Sequence, residues 1–302
     1  MAQITIGSRG SKLALVQANF VKLKIEQKFN HDVIIKVIKT AGDIDLLTPI
    51  RKIQDKGFYT KEIEDNLSSH NIDFAVHSMK DLPIELEDNF KLAAVLERNS
   101  PMDILLTETS KNIKEIKSNL VIGAGSLRRR IQCKKLFPNS RLVDVRGNIE
   151  TRIEKMKLNN WDALVIAKSA VERLSINEKF YEFTIEEMVP APCQGIIAIE
   201  TLKDNFYANE IASAINHEDT FEVSMIEREI SKGLGGGCTS PVGCLVRKDN
   251  NHLYVYIFIS DSKGRNQINY NKKFKLDDKE TVVSKIMSNL QRKGLLKIIK
   301  NV

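Results

Sequence analysis

Cysteine is scarce in this 302-residue chain, and its spacing excludes several common kinds of site. No CxxC pair occurs, and no histidine lies near a cysteine at the spacing of a zinc ligand set. We therefore expect no metal centre and no disulfide framework. Cys133, Cys193 and Cys244 are interpreted as buried or incidental thiols in a reducing compartment. The fourth cysteine, Cys238, follows three successive glycines and is considered separately below.

Long apolar runs are also missing. None approaches the roughly 18–20 residues that a membrane-spanning helix needs, and the opening residues MAQITIGSRGSK contain no apolar segment of the kind found in signal peptides. We expect a soluble cytoplasmic protein without a membrane partner.

Aromatic residues make up only 6% of the chain, whereas the net charge is +7. A basic balance favours an anionic partner, and nucleic acid is the usual candidate. However, no basic stripe is interleaved with aromatic residues in the way that single-stranded nucleic acid requires. Much of the lysine, as in KNIKEIK, is typical of a solvated helix face. We therefore expect no nucleic-acid partner.

Strand-like and helix-like segments alternate along most of the chain. The strand-like segments up to about Arg98 are QITIG, VIIKVIK, IDFAVHS and FKLAAVL, and the pattern restarts after NSPMD with LVIGAG, RLVDVRG and WDALVIA. This alternation predicts parallel α/β sheets with right-handed crossovers. AGDID is predicted as a turn, residues 210–234 as mostly helical, and HLYVYIFISD with QINYNKKFKL as antiparallel strands before a last helix.

Arginines stand near the points where predicted strands lead into helices. Such junctions already attract anions through free backbone N–H groups and the helix dipole. Adding guanidinium groups there favours a ligand with several carboxylates or phosphates, because arginine meets both with a bidentate fork. The alternative is ion pairing with nearby acidic residues or plain solvation. The arginines concerned are Arg9, Arg128, Arg129, Arg146, Arg152 and Arg173.

Six segments, in order and spacing, resemble the hydroxymethylbilane synthase (porphobilinogen deaminase) family. They are GSRGSKLALVQA, AVHSMKDLP, GAGSLRRR, VRGNIETR, PAPCQGIIAIE and LGGGCTSPVG. The resemblance covers essentially the whole chain and implies an α/β protein of three domains. The first two are mixed sheets flanked by helices, similar to type II periplasmic binding proteins, and the third is a small domain with an antiparallel sheet. The implied ranges are 1–97 with 196–216, then 98–195, then 217–302.

The resemblance also implies an activity and a cofactor. Such enzymes deaminate four porphobilinogen molecules and join them head to tail into the linear tetrapyrrole hydroxymethylbilane, which water releases. A dipyrromethane cofactor serves as primer and is held by a thioether to one cysteine, and Cys238 matches that position. Each porphobilinogen carries an acetate and a propionate, so the growing chain is a polycarboxylate. A cleft edged by arginines is the expected host, and the protein is expected to act as a monomer.

Asp81 is the residue that the resemblance assigns to catalysis, because a carboxylate bound to a pyrrole N–H stabilises developing positive charge. The alternative is a turn or helix cap before Pro83. Ser11 and Ser126 are interpreted first as helix caps, Gln17 is equally compatible with a solvated helix face, and His77 is interpreted as a structural residue. The other predicted cofactor ligands are Lys80, Ser126, Arg128, Arg129, Arg146 and Arg152, and the predicted substrate ligands are Arg9, Ser11, Gln17, Phe58 and Arg173.

Three positions depart from the family pattern. A hydroxyl residue is common where Ala124 or Gly125 stands, glycine or alanine is more usual at Cys193, and an acidic residue is common near Gly235. Two other functions are left open by the residues themselves. One is a non-catalytic anion-binding protein of the periplasmic type, which would not need Asp81 and Cys238 together. The other is nucleic-acid binding, which salt-dependent binding to random duplex would reveal.

Overall fold

The computed structural model describes residues 3–44, 57–107, 119–236 and 240–299. Within these ranges lie three β-sheets, of five, five and three strands, with helices packed against each. No helix in the same ranges is long and apolar enough to cross a membrane. Cys238 and the glycine before it lie outside the described residues.

The helices and strands have the following bounds in chain order: β1 Gln3–Arg9, α1 Lys12–Phe29, β2 Asp32–Ile38, α2 Ala41–Ile44, α3 Lys61–Ser68, β3 Phe74–Ser78, β4 Phe90–Val95, β5 Asp103–Thr107, β6 Val121–Gly123, α4 Leu127–Leu136, β7 Arg141–Val143, α5 Ile149–Leu158, β8 Ala163–Ala167, α6 Lys168–Arg173, β9 Phe180–Glu182, β10 Ile197–Leu202, α7 Phe206–Ala214, α8 Glu218–Gly233, β11 Val242–Asp249, β12 His252–Ser260, β13 Gln267–Lys275, α9 Lys279–Arg292 and α10 Leu295–Ile299. Short 3₁₀ turns cover Met79–Asp81 and Leu276–Asp278.

The first sheet has the order β2-β1-β3-β10-β4. Strands β1, β2 and β3 run parallel, and β10 runs antiparallel to both of its neighbours. One face packs against α1 and α7 through apolar residues such as Ile6, Val21 and Ile211, and the other packs against α3 through Ile63 and Leu67. The central strands β3 and β10 are buried along nearly their whole length because helices cover both faces of the sheet, whereas β2 at the edge is partly exposed.

The second sheet repeats this topology with the order β7-β6-β8-β5-β9. Again three strands, β7, β6 and β8, run parallel, and β5 runs antiparallel to both of its neighbours, β8 and β9. In each sheet the antiparallel strand directly follows a segment that crosses from the other sheet: residues 96–102 lead into β5, and residues 183–196 lead into β10. This repeated mixed topology agrees with the fold that the family resemblance implied.

The third sheet is antiparallel, with the order β11-β12-β13. Helices α8, α9 and α10 cover it through an apolar core that includes Ile230, Ile257, Ile286 and Ile298. The predicted pairing of β12 with β13 is therefore confirmed.

Several local predictions were wrong. The sheets are mixed and not wholly parallel, because hydrophobic periodicity identifies a strand without giving its direction. Strands β5 and β9 were not predicted, and the predicted AGDID turn contains the short helix α2. By contrast, residues 210–234 are mostly helical, as predicted: they belong to α7 and α8, and the His217 side chain accepts a hydrogen bond from the Thr220 backbone N–H and caps α8.

Candidate active site

The turn after β3 places two ionisable side chains at the carboxyl end of a central strand. The Met79 backbone N–H donates to the Ile196 carbonyl at 3.0 Å, and the buried Met79 side chain anchors the turn in the core. Lys80 and Asp81 follow at once, before Leu82 closes the turn with a 3.2 Å bond to the Met79 carbonyl. Ligands bind beyond the carboxyl ends of strands in open α/β sheets, which is where these two residues lie.

Asp81 makes no hydrogen bond or ion pair with any of the described residues. The alternative in which its side chain caps the turn before Pro83 therefore finds no support in the geometry. Its negative charge does reach its neighbours, because it raises the pKa values of Lys80 and Arg152 against the lowering effect of burial. Asp81 is thus a partly exposed carboxylate among cations, with its oxygens available to a ligand N–H.

Lys80 is strongly affected by its surroundings. Its Nζ donates to Gln194 Oε1 at 3.4 Å. Burial is the main cause that lowers the Lys80 pKa to about 8, the charges of Arg129 and Arg128 lower it too, and Asp81 and Asp103 act in the opposite direction.

Arg128 and Arg129 stand in the first turn of α4, and both bind one buried carboxylate. Ser126 caps this helix by accepting from the Arg129 backbone N–H at 3.3 Å, as predicted. Arg128 Nη1 donates to Asp103 Oδ2 at 2.8 Å, and Arg129 donates to Asp103 Oδ1 through Nε at 3.0 Å and Nη2 at 2.7 Å. Burial raises the pKa of Asp103, but the two guanidinium groups outweigh it and hold that pKa well below its usual range.

Asp103 is a residue that the sequence analysis missed. It lies in the unpredicted strand β5, and the carboxylate is fully buried. Its pairing with both arginines corresponds to the ion-pair alternative for these two positions. Their predicted role as ligands for carboxylates of a bound molecule stays a prediction. The only sequence signal was an acidic residue at the start of the apolar segment DILLT.

Arg152 differs from this pair because it forms no ion pair with a described residue. Its Nε donates to the Gly147 carbonyl at 2.7 Å. Burial, followed by the charge of Arg129, lowers the Arg152 pKa to about 10. A buried cation in this position is suited to a carboxylate that arrives with a ligand.

The departure at Gly125 lies beside Arg152. A Cβ atom at Gly125 would stand 2.7 Å from the Val145 carbonyl oxygen and 3.8 Å from Arg152 Nη1. A hydroxyl side chain therefore does not fit here without a backbone shift. Ala124 is fully buried, so the neighbouring position supplies no exposed group either.

Arg9 and Arg146 are joined through two aromatic side chains. The Arg9 guanidinium pairs with Asp43 at 2.6 Å and lies 4.4 Å from the centre of the Tyr59 ring. Arg146 Nη2 donates to the Tyr59 hydroxyl at 3.1 Å and lies 5.8 Å from the Phe58 ring centre. Sequence reasoning selected Phe58 and missed Tyr59, which contacts both arginines. The signal available was its place beside Phe58 in GFYT.

Ser11 and Gln17 lie on either side of the start of α1. Ser11 accepts from the Ala14 backbone N–H at 3.3 Å and is a helix cap, as predicted. Gln17 is buried, and its Nε2 donates to Ser78 Oγ at 2.8 Å, directly before the Lys80–Asp81 turn. The alternative of a solvated helix face is therefore wrong for Gln17.

Arg173 binds the two segments that cross between the first and second sheets. Its Nη2 donates to Asn99 Oδ1 at 2.9 Å and to the Gly195 carbonyl at 2.7 Å. Burial lowers its pKa to about 10. These contacts give Arg173 a role at the junction of the sheets. None of its hydrogen bonds reaches the other predicted site residues in the described part of the chain.

The described cysteines are free, buried thiols. Burial raises the pKa of Cys133 to about 12 and raises those of Cys193 and Cys244 as well. Cys193 occupies the left-handed region at φ 59°, a conformation that glycine adopts more readily than other residues. Helix α8 ends at Gly233, and Gly235 follows it in the left-handed region at φ 66°.

His77 lies on β3, the strand that leads into the Lys80–Asp81 turn. Its Nε2 and Glu200 Oε2 are 3.0 Å apart, and both side chains are buried. This pairing agrees with the interpretation of His77 as a structural residue.

Two family models match this chain, and both describe domains of the same family. The family model described as "Porphobilinogen deaminase, dipyromethane cofactor binding domain" matches residues 4–210, and "Porphobilinogen deaminase, C-terminal domain" matches residues 221–292. Among solved structures, the methionine binding protein MetQ aligns with a TM-score of 0.44. The two chains are 13% identical over 78% of this chain and 97% of MetQ.

Curated relatives agree with the family models. Porphobilinogen deaminase of Syntrophomonas wolfei is 42% identical over 88% of this chain and 87% of its own. That of Caldicellulosiruptor saccharolyticus is 40% identical over 86% of this chain and 89% of its own, and that of Alkaliphilus metalliredigens is 34% identical over 100% and 96%. The predicted resemblance is confirmed: the chain belongs to the porphobilinogen deaminase family.

Proposed function

We propose that this protein deaminates four porphobilinogen molecules and joins them head to tail into hydroxymethylbilane, in the biosynthesis of haem and other tetrapyrroles. One observation carries the proposal. The partly exposed carboxylate of Asp81, which has no bonding partner among the described residues, stands in the electrostatic reach of Lys80 and Arg152. This chemistry requires a carboxylate that stabilises positive charge on the pyrrole, and it requires cations that bind the carboxylates of the substrate.

Asp81 acts on the reacting ring. When the aminomethyl C–N bond of porphobilinogen breaks and ammonia leaves, positive charge spreads over the pyrrole. A carboxylate that accepts the pyrrole N–H stabilises this charge, and the burial of the surrounding groups strengthens the effect. The new C–C bond then forms, and we assign the Asp81 carboxylate as the acceptor of the proton displaced from the attacked ring carbon.

The cations hold carboxylates, and the residues present fit a dipyrromethane group. Burial, and after it the charge of neighbouring arginines, lowers the pKa values of Lys80 and Arg152, and added carboxylates would oppose both effects. When bound, dipyrromethane supplies a free pyrrole α-carbon as the nucleophile for chain growth. We assign the cofactor to Cys238, with Lys80, Ser126, Arg128, Arg129, Arg146 and Arg152 holding it. We assign the substrate to Arg9, Ser11, Gln17, Phe58 and Arg173.

Intact mass tests the covalent cofactor. We expect purified protein to be heavier than its sequence by one dipyrromethane unit, with the extra mass on the peptide that contains Cys238. Cys238→Ser should fold without that mass. Cys133→Ser, which changes a thiol buried in the core of the second sheet, should retain it. A free Cys238 thiol in active enzyme would contradict the assignment.

Replacement of Asp81 tests the catalytic role. Asp81→Asn keeps the size of the side chain and removes its charge, so turnover should fall by roughly 10²–10³, while KM changes much less because the cations are intact. Asp81→Glu keeps the charge and should retain part of the rate, limited by misplacement. Single-turnover mass spectrometry of cofactor-loaded protein measures each added unit. Normal addition by Asp81→Asn would remove Asp81 from the mechanism.

The remaining proposals concern organisation. We propose domains of residues 1–97 with 196–216, 98–195 and 217–302, a division that follows the three sheets. We also propose a monomer in the cytoplasm without nucleic-acid or membrane partners, a location that suits the free thiols. Limited proteolysis tests the boundaries, and light scattering and cell fractionation test the assembly and location.

A further inference from the structure

Gln194 lies where the two crossing segments meet. It belongs to the segment that returns from the second sheet to the first, and it is fully buried. Its backbone carbonyl accepts from Arg98 Nε at 2.9 Å, and Arg98 belongs to the other crossing segment. Gln194 is therefore held by the backbone of the junction itself.

The two ends of the Gln194 carboxamide have opposite partners. Its Nε2 donates to the Pro101 carbonyl at 2.7 Å and to Asp103 Oδ1 at 3.0 Å. Its Oε1 accepts from Lys80 Nζ and from Arg129 Nη2, each at 3.4 Å. Two acceptors at one end and two cations at the other fix the orientation of the amide.

This set of partners requires a neutral amide. Glutamate has no N–H to donate to Asp103, and its charge would oppose that carboxylate. Leucine has nearly the same volume but would remove the donor to Pro101 and Asp103 and the oxygen that accepts from Lys80 and Arg129. The amide links Lys80, which follows a strand of the first sheet, to Arg129, which is on a helix of the second.

We propose that Gln194 is a positioning residue that holds the Lys80 ammonium group and the Arg129 guanidinium group at a fixed separation across the junction of the first two sheets. This inference rests on the proposed function, in which both cations bind pyrrole carboxylates. Gln194 presets the pair, so that substrate or growing chain meets two cations that need no rearrangement on binding.

The proton affinity of Lys80 provides a readout that is independent of catalysis. The charged groups that face Lys80 are Asp81 and Asp103, which favour the ammonium form, and Arg128 and Arg129, which oppose it. Loss of the Gln194 oxygen removes an acceptor from the ammonium group, so Gln194→Leu should lower the Lys80 pKa further below about 8. Gln194→Glu places a negative charge there and should raise it. Each shift should be about one pH unit.

The experiment is an NMR titration of isotopically labelled lysine in the holoenzyme, with the Lys80 signal assigned by its loss in Lys80→Arg. The matched control is Gln132→Leu. Gln132 is also buried, and its amide bonds the Val189 N–H at 2.9 Å and the Val189 carbonyl at 3.1 Å without contacting Lys80. This control should destabilise the fold and leave the Lys80 titration unchanged.

Kinetics add a second readout. Gln194→Leu should raise KM about tenfold, equivalent to one long charge-assisted contact, with kcat changed much less. Shifts of the same sign in both Gln194 variants, or shifts equal to that of Gln132→Leu, would overturn the proposal. The intact mass of the same samples distinguishes failure of the Gln194 proposal from failure of the proposed function. A wild-type protein without the cofactor mass would refute the proposed function, whereas the titration would still decide the role of Gln194.

Discussion

Replacing Asp103 with asparagine should strongly destabilise the second sheet. The Asp103 carboxylate accepts from Arg128, from Arg129 twice, and from Gln194, at 2.7–3.0 Å, and it is fully buried. Asparagine keeps the shape but strands two buried guanidinium groups without a counter-charge. Removal of one partner from a buried ion pair costs about 3–5 kcal/mol.

Because both arginines lose the same partner, we expect a decrease of about 4 kcal/mol in the free energy of unfolding. At roughly 2–4 °C per kcal/mol, this lowers the Tm by about 8–16 °C. Differential scanning calorimetry measures the Tm. The control is Asp144→Asn, since Asp144 pairs with Arg130 at 3.1 Å where both side chains are partly exposed, and such a pair contributes about 1 kcal/mol or less.

The pH dependence has a defined sign. Folding lowers the pKa of Asp103, so the unfolded chain takes up a proton first as the pH falls. The stabilisation by the charged carboxylate is therefore complete at neutral pH and is lost progressively below about pH 4. The gap in Tm between wild type and Asp103→Asn should narrow over that acidic range. A Tm for Asp103→Asn within about 2 °C of Asp144→Asn at neutral pH would refute the reasoning.

Two further predictions concern the cations and the thiols. Arg152→Ala should weaken substrate or cofactor binding by roughly 1.5–3 kcal/mol, and Arg152→Lys should recover only part of this loss because lysine lacks the bidentate fork. Titration calorimetry with porphobilinogen measures the affinity, with Arg130→Ala at a partly exposed site as the control. Equal affinities of Arg152→Ala and Arg130→Ala would contradict the prediction. Cys133 and Cys193 should resist iodoacetamide at pH 8 and react only after denaturation, because burial raises the pKa of both thiols, that of Cys133 to about 12. Peptide mass spectrometry measures the labelling. Rapid labelling of either thiol in the native protein would contradict their burial.

Local sequence signals predicted many of the elements and part of the site. Ser11 and Ser126 cap α1 and α4 because a hydroxyl before a helical segment bonds backbone N–H groups close by in the chain. The segment IDFAVHSMKDLP predicts a strand, a turn and the place of Lys80 and Asp81 at the strand end. Each of these inferences depends on residues within one or two turns of the chain, where sequence distance and spatial distance are nearly the same.

The partners of the arginines could not be predicted in this way. Asp103 lies 26 residues from Arg129, and Gln194 lies 65 residues from it. Only the antiparallel placement of β5 and the return of the chain at Gln194 bring these side chains together. Tyr59 likewise reaches Arg146 across 87 residues.

The sequence by itself determined the alternation of strands and helices, the helix caps, the family and the residues with the chemistry to bind carboxylates. Strand direction, the burial of Gln194 and the internal partners of each arginine were decided only by the tertiary structure. The physical reason is that hydrophobic periodicity and capping depend on residues close together in the chain. A buried charged group instead needs a partner in space, and that partner can come from a distant part of the chain. Arg128 and Arg129 pair with Asp103, whereas Arg152 has no acidic partner among the described residues and donates to the Gly147 carbonyl.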